Sequence, residues 1–187
     1  MEPAKQLSPL PGFKTIVTGH DASGASTISE QGPSPWRTYA NGDLQFAVPY
    51  TTSDSPADMN GDGDVRKHRQ LMEAGRLGLV NPRGTVCRVV DFAPGEGVTP
   101  LMHRTQSLDY GIVLEGEMEL LLDAERATVR RGDVVVQRAT MHAWKNVSRT
   151  EWARMLFVLI DAAPLQINGK LLGEDLGQSS DITARDK

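Results

Sequence analysis

The 187-residue sequence predicts an all-β fold, a sandwich or barrel of short strands. Three observations carry that prediction. The chain holds 18 glycines and 11 prolines, which supply many turns and favour strands over a helix bundle. From Thr85 onward, short apolar or alternating runs follow one another, each closed by a turn signal. The apolar content of 39% is enough for one core, and the length suits one domain with an extra segment.

Taken in order, residues 1–12 are proline-rich and without periodicity, and read as a flexible lead-in. "FKTIVTGHD" (Phe13 to Asp21) reads as a strand ending in a turn, and "STISE" as a second strand. An Asn-Gly turn precedes the strand-like "LQFAVPY". The polar stretch that follows is a loop running into a helical turn around Arg66 to Ala74, with "RLGLVNPRG" as its exit. Next come "TVCRVVDFAP", "MHRTQ", "LDYGIVLEG", "EMELLLD", "ATVRR", "GDVVVQRA", "HAWKNVS" and "ARMLFVLIDA", the strands of the barrel. The last segment, from Pro164, is polar and is expected to pack a short turn or helix outside the barrel. The resulting division is an N-terminal extension (1–84), a barrel (85–163) and a C-terminal tail (164–187).

Charge and cysteine usage exclude several function classes. Net charge is −4 with no long basic run, so neither nucleic-acid nor membrane-surface binding is suggested. The single cysteine, Cys87, cannot form an intramolecular disulfide, and its valine-rich surroundings mark it as a small buried hydrophobe. No apolar run approaches the ~18 residues of a membrane span, and the N-terminal residues lack a signal-peptide core. A cytoplasmic protein is expected. "DMNGDGDV" (Asp58 to Val65) imitates the opening of a calcium loop, but Arg69 stands where the closing carboxylate belongs, so no calcium site is expected.

Between Gly97 and Asn146 lie two spaced motifs. Gly97, His103, Thr105, Asp109 and Gly116 form the first; Gly132, His142 and Asn146 form the second. Their spacing resembles the cupin superfamily. In its first motif Thr105 replaces the usual second histidine and Asp109 the usual glutamate. In the second, Arg138 and Thr140 stand where proline and glycine are usual, and one residue fewer precedes His142. More narrowly, the region is similar to small stand-alone cupins of bacteria and filamentous fungi, some encoded near genes of secondary metabolism. The resemblance covers about half the chain and implies a jelly-roll barrel, a small-molecule substrate and a homodimer. The strands Phe13 to Glu30 and Leu44 to Tyr50 would then pair with the neighbouring subunit.

The residues lead to the same pocket. Positions two apart on a strand share a face, so His103 and Thr105 point the same way. Asp109 can face back from the next strand, and His142 reaches the pocket from the opposite sheet. Two chemistries stay open. His103, Asp109 and His142 could form the 2-His-1-carboxylate set of a non-haem iron(II) oxygenase. Alternatively, His103 and His142 act as general acid and base, Asp109 orients or stabilises, and Thr105 hydrogen-bonds the substrate. The cofactor is accordingly none or one divalent metal (Fe, Zn, Mn or Ni). Met102, Met118, Trp144, Met155 and Phe157 are expected as apolar lining. Of Gln137 and Arg138, one must face the barrel, and Arg138 there would recognise an anion. Arg104, opposite in facing to Thr105, would lie outside.

The preferred expectation is a cupin enzyme of secondary metabolism doing non-redox chemistry on a carbonyl-bearing or polyketide-like substrate. Decarboxylation, dehydration, isomerisation and cyclisation all fit. The rivals are the iron(II) oxygenase and a non-catalytic small-ligand binder.

Overall fold

The computed structural model describes residues 5–177 and Ile182. The described residues form β1 (Lys14–His20), β2 (Ser26–Pro33), β3 (Trp36–Tyr39), β4 (Leu44–Thr52), α1 (Gly63–Ala74), β5 (Thr85–Phe92), β6 (Ser107–Glu115) and β7 (Glu117–Leu122). There follow β8 (Arg126–Arg130), β9 (Val134–Arg138), β10 (His142–Asn146), β11 (Ala153–Asp161), β12 (Leu165–Ile167) and β13 (Lys170–Leu172). Six strands make one sheet in the order β3-β4-β5-β11-β6-β9, and three make a second in the order β10-β7-β8. The core lies between them: Phe46, Val90, Phe92, Val113 and Phe157 of the large sheet pack with Met118, Leu120, Val129 and Trp144 of the small one. This is the all-β barrel that the run spacing predicts.

Strand alternation decides what faces the interior. On β5, Arg88, Val90 and Phe92 point inward, whereas Val89 packs with Trp36 and Ala47 in a separate outer cluster. The turn between β6 and β7 depends on Gly116. Its φ is +82°, and a Cβ there would sit 2.9 Å from that of Ala153, so a side chain is excluded twice over.

Four expectations need correction. The lead-in is docked along its described part: Ser8 is buried and bonds Asp91, the Gln45 side chain bonds Leu7 N and Lys5 O, and Arg154 Nη1 donates to Pro11 O. Buried polar groups on the outer face of the sheet need partners, and this segment supplies them. Second, β4 pairs antiparallel with β5 of its own chain, which puts Leu44 to Tyr50 within the large sheet and not in an extension outside it. Third, "MHRTQ" is no strand; His103 and Arg104 each make only a single bridge, to His142 and Asp175. Fourth, the segment from Pro164 folds as the hairpin β12–β13, and its continuation turns inward to the barrel mouth.

The polar loop before α1 forms turns, in which Asp58 Oδ1 accepts hydrogen bonds from the backbone and side chain of Asn60. Cys87 is half-buried, and burial pushes its thiol pKa up, as befits an unreactive position. Among the described residues no helix is long and apolar enough to cross a membrane.

Candidate active site

The backbone brings the two motifs together. His103 N donates to His142 O and His142 N donates to His103 O, each at 2.9 Å, so the two residues form a hydrogen-bonded cross-strand pair. Their rings lie 4.3 Å apart on the wall of a cavity of about 560 Å³. Asp109 from β6, Gln137 from β9, and Trp144 and Asn146 from β10 line the same space.

A chain of hydrogen bonds fixes the protons. Trp144 Nε1–H can only donate, and it donates to Gln137 Oε1 at 2.8 Å. The Gln137 amide nitrogen therefore points the other way, to Asp109 Oδ2 at 3.1 Å and His142 Nε2 at 3.0 Å. His142 Nε2 must accept, which leaves the proton on Nδ1, donated to Thr140 O at 3.0 Å. His103 Nδ1 likewise donates to Leu101 O at 3.0 Å, which leaves its Nε2 as an acceptor. Both rings are held neutral. Burial pushes the His142 pKa down to about 4, and the neighbouring His103 adds to the effect. Burial also lowers His103; its bond to Leu101 opposes the shift, and Arg88 adds a further lowering.

Asp109 is the unusual member. It is 2% exposed, and burial pushes its carboxyl up to about 6 despite hydrogen bonds to Ser107, Gln137 and Thr105. Its Oδ1 is buried with no hydrogen-bond partner among the described residues. A buried carboxyl with one oxygen left without a donor, in a residue that lines a cavity, is unusual and calls for an explanation in function.

These residues do not fit the facial-triad expectation as arranged. The Gln137 amide stands between Asp109 and His142 and occupies the nitrogen that a metal would need. Among the described residues, no three His, Cys, Asp or Glu side chains come together closely enough to hold an ion.

The spacing of the motifs matches a family profile described as "Cupin domain" over residues 88–159. The chain is also 42% identical over 172 residues to the phomopsin biosynthesis cluster protein D of Diaporthe leptostromiformis, covering 90% of this chain and 89% of the relative. The chain belongs to the cupin family. This cupin is likewise 37% identical over 172 residues to the oryzines biosynthesis cluster protein J of Aspergillus oryzae, covering 90% of this chain and 94% of the relative. It is 41% identical over 167 residues to the cupin-domain-containing oxidoreductase virC of Hypocrea virens, covering 86% and 83% of the two chains.

Of the residues expected at the site of this cupin, His103, Asp109, His142, Met102, Trp144 and Phe157 do line the cavity. Five roles change. His142 has both ring nitrogens engaged, so it positions Gln137 and has none free for acid–base work. Thr105 is 1% exposed and away from the cavity wall; it accepts from Ser107 at 2.8 Å and leans on Asp109 at 3.4 Å, so it supports the carboxylate. Met118 and Met155 are wholly buried core that does not reach the cavity. Arg138 faces outward, because alternation along β9 turns Gln137 inward.

Two contributors were not anticipated. Arg88 lines the cavity from β5 and is 6% exposed. Its sequence signal is a cation inside the apolar run "TVCRVVDF", on the same parity as Val90 and Phe92. Gly177 and Ile182 of the tail also line the cavity. Arg104 holds the tail there: its N and Asp175 O are 2.7 Å apart, and its Nε donates to Gly173 O at 2.8 Å.

Proposed function

We propose that this cupin is an enzyme of small-molecule, secondary metabolism that moves protons on a carbonyl-bearing, polyketide-like substrate. Isomerisation, dehydration, cyclisation and decarboxylation are the reactions in view, and no oxidant is consumed. The observation that carries the reading is Asp109, a buried carboxyl that lines an apolar-walled cavity and keeps one oxygen, Oδ1, without a hydrogen-bond partner among the described residues. With its pKa raised to about 6, Asp109 is ionised at neutral pH yet basic enough to hold a proton in transit.

In this scheme a C–H beside the substrate carbonyl loses its proton to the Asp109 carboxylate. The electron pair of that bond passes into the enolate, the proton on Asp109 exchanges with solvent, and a solvent-derived proton is delivered from Asp109 to a different atom. His103 Nε2 accepts a substrate hydroxyl, while Gln137 and His142 hold Asp109 Oδ2 in place. The apolar wall, including Phe46, Phe92 and Trp144, excludes water from the enolate.

A second reading, an oxidoreductase that would use a metal, draws on the oxidoreductase name of the Hypocrea virens relative. It would require Gln137 to leave His142 before a metal could bind.

One experiment separates the two. Chelator-treated protein in deuterium oxide is given the compound that accumulates when its gene is deleted. Proton transfer places one deuterium in the product, and Asp109→Asn slows turnover at least ~100-fold. Full turnover by Asp109→Asn would sink the proposal. Turnover restored only by added iron(II) and oxygen would establish the second reading in its place.

A further inference from the structure

Among the described residues two arginines are almost wholly buried, Arg88 and Arg154, and they are placed very differently. Arg154, 5% exposed, meets both oxygens of Asp91 side-on, with Nε to Oδ1 at 2.5 Å and Nη2 to Oδ2 at 2.7 Å. Burial of that cation is compensated by a bidentate internal carboxylate. Arg88, 6% exposed, has no such partner among the described residues. Its Nη2 donates to Gly78 O at 2.8 Å and, at 3.4 Å, to Leu79 O. Its Nε is buried without any acceptor, and none of the ion pairs among the described residues includes it. The guanidinium lies 5.0 Å from the centre of the Phe46 ring, which steers it without neutralising it.

A guanidinium stays charged at any pH at which proteins fold, so neutralisation by proton loss is not open to it. A buried charge left without a counter-charge is costly, and a molecule that keeps one compensates it with a ligand more readily than with nothing. Arg88 borders the same cavity as His103 and Asp109. Arg154 and Asp91 show the partner that this side chain takes when the fold supplies one, which is a planar carboxylate held through two hydrogen bonds.

We propose that Arg88 is the anchor for a carboxylate on the ligand of this cavity, so that the substrate is an organic acid held by its anionic end. The proposal deepens the proton-transfer reading and rests on it for the word substrate. The anion seated on Arg88 leaves the remainder of the molecule within the apolar space between Phe46 and Trp144, with its reactive part toward Asp109.

The test uses the full chain and matched pairs of probes that differ only in charge: 4-hydroxybenzoate with 4-hydroxybenzamide, and cinnamate with cinnamamide. Affinities are measured by calorimetry at pH 7.5, with inorganic phosphate as a separate titrant. Each acid is expected to bind at least tenfold tighter than its amide, and tighter than phosphate. Arg88→Gln should lower acid affinity to that of the amide and leave amide affinity unchanged. Arg88→Lys, which keeps the charge and loses the fork, should retain part of the preference and covers the case in which Arg88→Gln does not fold. Equal binding of acid and amide, binding of phosphate alone, a preference that survives Arg88→Gln, or no binding of any pair would each overturn the proposal. His103→Asn must keep the acid preference. An intact preference in a protein that places no deuterium in its product would refute the proton-transfer reading while leaving the anchor standing.

Discussion

At Asp109 the fold keeps a carboxylate where burial penalises its charge, and the penalty has a measurable pH signature. Its folded pKa of about 6 lies above the ordinary 3.8, so its contribution to stability is fully present below about pH 4 and is lost as pH rises through 6. Asp109→Asn removes the penalty and keeps an oxygen for Gln137 and Thr105. The variant is therefore expected to equal the wild type near pH 4 and to exceed it by roughly 2–3 kcal/mol above pH 7. Denaturant unfolding across that range measures the difference. His142 titrates in both proteins and with the opposite sign, its stabilising share being lost as pH falls from about 6.5 through about 4, so it drops out of the comparison. A difference that does not vary with pH would refute the assignment. Gain in stability together with loss of turnover is the expected mark of a group retained for chemistry.

At the scale of elements, the tail contributes Gly177 and Ile182 to the lining of the cavity. Gly177 has φ +59°, and a Cβ there would lie 2.4 Å from Met102 O, so Gly177→Val should displace the segment that Arg104 holds. The expected result is a KM raised about tenfold or more, kcat changed far less, and faster proteolysis beyond Leu172; an unchanged KM would show that the tail does not shape the site. This contact was not legible in the sequence, because a polar stretch with few apolar residues carries no periodicity to read. His103, Asp109 and His142, by contrast, were legible from motif spacing, which a barrel preserves even where single ligands change. Arg88 was missed for a physical reason. β5 is covered on both faces, by the cavity wall on one and by the Trp36 cluster and the Arg154–Asp91 pair on the other, so the polar-apolar alternation that reveals facing is erased. The proton positions on the two imidazoles could not be read either, since they follow from backbone carbonyls that lie next to them only in the folded chain.

For the whole molecule, the outer face of the large sheet is asymmetric. Phe13, Trp36 and Leu156 cover it around β3, β4, β5 and β11. Toward β6 and β9 it leaves Tyr110, Leu114, Val134 and Val136 exposed, the two valines at more than half of their full exposure. Tyr110 is paired with Val136, and Ile112 with Val134, which makes the exposed residues one contiguous apolar strip at a free sheet edge. We propose that this strip is a contact between two copies of the chain. Light scattering should give a dimer mass for the wild type and a monomer mass for Val134→Glu with Val136→Glu, with the cavity intact by probe binding. A double variant that stays dimeric would move the contact elsewhere.

Trp144 gives the cavity an optical readout of its own. Its indole N–H ends the hydrogen-bond chain that runs through Gln137 to Asp109, and its ring borders the space a ligand fills. The other two tryptophans, Trp36 and Trp152, are not among the residues that border this space. The part of the intrinsic emission change that Trp144→Phe abolishes, against the steady background of Trp36 and Trp152, can therefore register both the arrival of a ligand and the protonation of the carboxylate two links away, without any label and before a substrate is known.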